Sequence, residues 1–166
     1  MTEGVIGQNV QMDASSAPTV DATGGDHLLG LADEIAEGML ACTLPKPRWT
    51  HEAHVLACVS LVRCVGATDA LATLRVAIPR YNESTGVANT DTGGYHDTLT
   101  VYYVWAVDQL LTADNDTTAV RHSPLVDRHA ALLWWPHETL FSVQARRAFV
   151  APTLTNPGVR IPSEPV

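Results

Sequence analysis

Thr50-His51-Glu52-Ala53-His54-Val55-Leu56-Ala57-Cys58-Val59-Ser60-Leu61-Val62-Arg63-Cys64-Val65-Gly66, residues 50–66, decides the fold class. Thr50 is a good N-cap, because its hydroxyl accepts from the free N–H groups of a first helical turn. Gly66 is a good stop, since only glycine takes the left-handed conformation there without strain. The stretch between them predicts a helix over 51–65. Its apolar residues Val55, Leu56, Ala57, Val59, Leu61 and Val62 cover nearly the whole circumference, so the helix is expected at the centre of the protein.

Outward from this helix, the neighbouring segments read the same way. Upstream, Asp26 can cap a helix whose apolar positions Leu28, Leu31, Ile35 and Met39 recur at helical spacing. It is broken by the prolines of Cys42-Thr43-Leu44-Pro45-Lys46-Pro47-Arg48. Downstream, Thr68 and Asp69 open a third helix through Leu71, Leu74 and Ile78 to Pro79. Residues 81–95 are rich in turn formers and read as a long loop, a length that is often functional. A fourth helix follows over 97–112. Ser123-Pro124 opens a fifth through Leu133, and Pro136 and Ser142 mark further short helical turns. The fold class is all-α: one domain of five to six helices in orthogonal or bundle-like packing. Residues 1–25 are expected as a disordered leader, 26–151 as the helical domain and the proline-rich 152–166 as an extended tail.

Composition narrows the function. The chain has 166 residues, a net charge of −8 and a single lysine, Lys46. Nucleic acid is disfavoured, because phosphate binding needs clustered basic residues. No membrane span is expected. Three cysteines without metal or disulfide spacing, and no basic-then-apolar leader, fit a reducing cytoplasm. Cys58 and Cys64 are read as small core residues.

Three histidines carry the chemical interest. His51 and His54 stand three apart and share a helix face. His96 opens the next helix after a glycine-rich stretch, Gly93-Gly94-Tyr95-His96. A helix N-terminus disfavours imidazolium, and neutral imidazole is the form that binds metals. Two such helix starts facing each other would give a mononuclear site of His51, His54 and His96 for a divalent transition metal, zinc or iron foremost. Tyr81, Asn82 and Tyr95 are candidates to position substrate or act as acids. Trp49 and Tyr103 are candidates to line an apolar pocket, and Arg146 to anchor a substrate carboxylate. Asp97 is read as a helix cap or as a carboxylate that orients a histidine. No GxSxG elbow, phosphate loop, HExxH or paired ExxH occurs. The expected class is a metal-dependent enzyme for a small-molecule substrate, of lyase, isomerase or hydrolase type or an iron oxygenase. A metal-free acid/base enzyme using the same histidines, or a non-catalytic helical ligand-binding module, are the alternatives.

Several of these tokens together resemble a group of small bacterial all-α proteins. They are Cys42-Thr43-Leu44-Pro45, Trp49-Thr50-His51-x-x-His54, Tyr81-Asn82 with Gly86, Gly94-Tyr95-His96-Asp97-Thr98 and Leu140-Phe141-Ser142-x-x-Ala145-Arg146. The resemblance spans about residues 38–154. It implies a common fold and a common site without naming a reaction. His137 departs from the pattern, which has a small polar residue there.

Overall fold

The computed structural model describes residues 22–114 and 118–154. Residues 1–21 of the expected leader and 155–166 of the expected tail lie outside those residues, whereas residues 22–25, expected in the leader, are helical. The described body is all-α. Helix α1 spans Ala22–Leu40, α2 His51–Ser84, α3 Asp97–Asp114, α4 Thr118–His122, α5 His137–Leu140 and α6 Val143–Arg147. No strand occurs among the described residues.

Helix α2 is the centre, with α1 and α3 both packed on it. Its first half buries Ala53 and then every residue from Val55 to Val59, with Leu61 and Val62 after them. That is the all-round burial its composition predicts. Its second half buries a stripe, Ala70, Leu71, Leu74, Ala77, Ile78, Tyr81 and Asn82, recurring at three and four residues. The change of pattern falls at Gly66, whose φ of +81° and ψ of 164° lie outside the helical region and kink the axis. By length and composition α2 could cross a membrane, yet half of its most apolar window is buried inside the fold. That is the signature of a core helix.

Cys58 is buried as expected, but Cys64, also expected in the core, is exposed. Four further sequence expectations need correction. First, α1 starts at Ala22, one turn before Asp26. Second, the expected helices over 51–65 and 68–79 are a single kinked element, because Gly66 bends the chain without ending it. Third, Pro79 does not stop that element: the helix runs on to Ser84. Proline removes one N–H, and here the following turn is secured by burial of Tyr81 and Asn82 and by the bond from the Tyr81 hydroxyl to the Leu44 carbonyl at 3.0 Å. The loop is therefore 85–96, shorter than expected. Fourth, Ser123-Pro124 does not open an α-helix. It caps a 3-10 turn, Pro124–Val126, with a second such turn at Ala130–Leu133.

The C-terminal segment grips the start of α3. The Thr98 hydroxyl donates to the Ala148 carbonyl at 3.1 Å and accepts from the Val150 N–H at 3.0 Å. The fully buried Trp135 donates its indole N–H to the Val150 carbonyl at 2.9 Å. These bonds fix the entry to α3 relative to the mouth of α2, and a cavity lies between the two helix starts.

Candidate functional site

The cavity has a volume of about 540 Å³ and is walled by the first turns of α2 and α3, the end of α2 and the loops before each helix. That size suits a small organic molecule. Lys46, Trp49, His51, His54, Asn82, Tyr95, His96 and Tyr103 line it, with Cys58, Ile78, Val87 and Leu99 supplying apolar surface. All three sequence-selected histidines thus reach one cavity.

Their ring nitrogens are not equivalent. A carbonyl oxygen only accepts, so a ring nitrogen bonded to one must carry the proton. His51 donates from Nε2 to the Leu125 carbonyl at 2.8 Å, which leaves Nδ1 with a free lone pair. His54 donates from Nδ1 to the Thr50 carbonyl at 2.6 Å, which leaves Nε2 free. His96 has nothing left: Nε2 donates to the Leu140 carbonyl at 2.8 Å, and Nδ1 accepts from the Leu99 N–H at 3.3 Å. His96 is thereby the cap of α3, its ring satisfying a first-turn N–H. A metal ion needs a lone pair from each imidazole. The expected three-histidine centre therefore does not fit: two rings offer one and the third does not. Among the described residues, no three His, Cys, Asp or Glu side chains gather to hold an ion.

Burial favours the neutral form of two site histidines, His54 and His96. His54 lies under the Trp49 indole, ring centroids 3.9 Å apart and planes tilted by 34°. Burial lowers its pKa from 6.5 to about 4. The Thr50 carbonyl opposes that shift, and the charge of His51 adds to it. Burial also lowers the pKa of His96, against its bond to Leu140. His51 meets the edge of Tyr103, centroids 5.2 Å apart. The Tyr103 hydroxyl, pushed well above its usual pKa by burial, stays protonated. The Cys58 thiol is pushed up to about 12 by burial and is no nucleophile at neutral pH.

Two buried polar atoms of this wall, the Trp49 indole N–H and the Tyr103 hydroxyl, have no hydrogen-bond partner. A buried donor without a partner costs about 1–3 kcal/mol. Both atoms expose almost no surface, so in this conformation they are closed off from the cavity space. Each stands against one of the two histidines that keep a free nitrogen.

Other candidates fall elsewhere. Tyr81 lies outside the wall, its hydroxyl tying the 42–48 loop to α2 through Leu44. Asn82 lines the cavity and bonds the Asn89 side chain at 2.9 Å, bracing the loop. The Tyr95 ring lines the cavity, but its hydroxyl donates to Asp97 at 2.8 Å. Asp97 does not cap α3 and does not reach a histidine. It takes a two-pronged bond from Arg75, at 2.9 and 3.0 Å, so its pKa falls despite burial. Arg146 is also outside the wall and donates to the Gly94 and Tyr95 carbonyls at 3.3 and 3.1 Å, clamping the loop that leads to His96.

Residue-type reasoning passed over Lys46, Arg75, Thr85, Val87, Leu99 and Thr100. Lys46 alone carried a signal, as the only lysine in the chain. No family model, no curated protein and no solved structure matches the chain.

Proposed function

We propose that the chain is a small-molecule enzyme that moves protons with neutral histidines, His54 foremost, in the cavity between the starts of α2 and α3. The observation that carries this reading is a pair of open lone pairs: His54 Nε2 and His51 Nδ1 are free acceptors on residues of one wall. Backbone carbonyls fix both tautomers, so the lone pairs are oriented before substrate arrives.

In such a cavity His54 Nε2 accepts a proton from the substrate. The resulting imidazolium keeps its Nδ1–H bond to the Thr50 carbonyl. Proton transfer of this kind is worth about 10²–10⁴ in rate. The step belongs to isomerase or lyase chemistry. No step is routed through a metal ion, because the ligand set supplies two open nitrogens instead of three.

The test is turnover of a panel of enolisable and β-substituted carbonyl compounds by protein dialysed against a strong chelator. The expected result is turnover that survives dialysis and falls at least about 100-fold in His54→Gln, with the helical circular dichroism unchanged. Turnover that vanishes on dialysis and returns with zinc or iron would replace this reading with the metal-dependent one.

A further inference from the structure

We infer that the cavity takes a monoanion, a carboxylate carried on a compact apolar body, with the carboxylate at Lys46. The inference rests on the small-molecule reading above and names its substrate class.

Three features of the wall point to a negative charge. No Asp or Glu side chain lines the cavity, although the chain carries 18 acidic residues against 10 basic ones. An anion entering it meets no like charge. The one formal charge in the wall is Lys46, whose ammonium donates to the Thr85 carbonyl at 3.3 Å and has no carboxylate partner among the described residues. The cavity opens onto the N-termini of two long helices: His51 and His54 are in the first turn of α2, and Leu99 and Thr100 in that of α3. Both helix dipoles therefore present their positive ends.

The count of charges separates carboxylate from phosphate. One unpaired ammonium neutralises one negative charge, whereas a phosphate dianion would leave a second charge facing uncharged imidazoles. The remainder of the wall, Cys58, Ile78, Val87 and Leu99, is apolar and calls for a hydrocarbon body.

The experiment pairs each of a set of monocarboxylates, butyrate to decanoate together with phenylacetate and benzoate, with its primary amide. Binding is read on the Trp49 indole N–H resonance of the intact chain and by titration calorimetry. At least one carboxylate is expected to bind ten-fold or more tightly than its amide. Lys46→Gln should weaken that carboxylate three-fold or more and leave the amide unchanged. Lys46 is exposed, so its substitution leaves the fold intact. Amides that bind as well as their carboxylates overturn the anion assignment and leave the small-molecule reading standing. A panel in which neither series moves the Trp49 resonance overturns both.

Discussion

The indole of Trp49 covers the imidazole of His54, with ring centroids 3.9 Å apart. That contact removes water from one face of the imidazole, and lost solvation is the largest cause of its low pKa. Trp49→Ala should reopen the face and move the His54 pKa up from about 4 toward 6.5. Histidine ¹H–¹⁵N chemical shifts across a pH titration check this. A His54 that already titrates near 6.5 in the wild type would remove the neutral base from the account.

The same shift makes the protein acid-sensitive in a defined window. The unfolded chain takes up a proton at His54 below 6.5, whereas the folded chain refuses it until about 4. The stabilising contribution is complete above about 6.5 and is lost as pH falls toward 4, by at most about 1.4 kcal/mol per pH unit for one group. His96, also lowered, acts in the same direction. Asp97, lowered as well, adds its loss only below its ordinary value of 3.8. Urea unfolding at pH 7, 5.5 and 4.5 should show the decline, and His54→Gln should flatten it.

Asp97 is a structural anchor of α3. Its carboxylate is buried and takes bonds from Arg75 and Tyr95. Asp97→Ala should cost about 2 kcal/mol, toward the low end for a buried pair because Arg75 reaches water. Ligand binding by the protein that remains folded should be unchanged. A loss of binding without a loss of stability would place Asp97 in the chemistry instead.

Tyr81→Phe isolates a second anchor. Losing the bond to the Leu44 carbonyl leaves that buried oxygen unpaired and should lower stability by about 1 kcal/mol. Turnover should not change, because the hydroxyl does not reach the cavity wall.

Gly94 sits at a φ of +77°, and a Cβ there would meet the Ala88 carbonyl oxygen at 2.5 Å and the Asn89 Cα at 2.8 Å. Both obstacles are backbone and cannot swing aside. Gly94→Ala should therefore cost about 1–3 kcal/mol and displace Tyr95 and His96. The expected readouts are a lower unfolding midpoint and weaker ligand binding together.

The helices were legible because residues 28–39 display the period that one-sided burial imposes, and residues 55–62 the nearly continuous apolar run of a helix buried all round. Helix junctions were less so. Gly66 is compatible with an end and with a kink, and only the packing of both halves between α1 and α3 decides. Pro79 was overridden by burial of Tyr81 and Asn82, which come from contacts remote in sequence. The three histidines were found as a set, and all three reach one cavity. Their division of labour was hidden. A histidine at a helix start can cap with one nitrogen or expose it, and the choice at His96 depends on the Leu140 carbonyl, 44 residues away. The tokens Leu44, Tyr81, Asn82, His96 and Arg146 recur here as partners in hydrogen bonds that hold the loops. Such residues look alike in sequence whether they act on a substrate or on the backbone.

The most direct test of the account is long-range ¹H–¹⁵N NMR of the histidine side chains at pH 7, before and after one equivalent of zinc. The account predicts His54 protonated on Nδ1 with Nε2 bare, His51 and His96 protonated on Nε2, and His96 unmoved by zinc. Three imidazoles that shift together and release a stoichiometric ion only to chelator would contradict it.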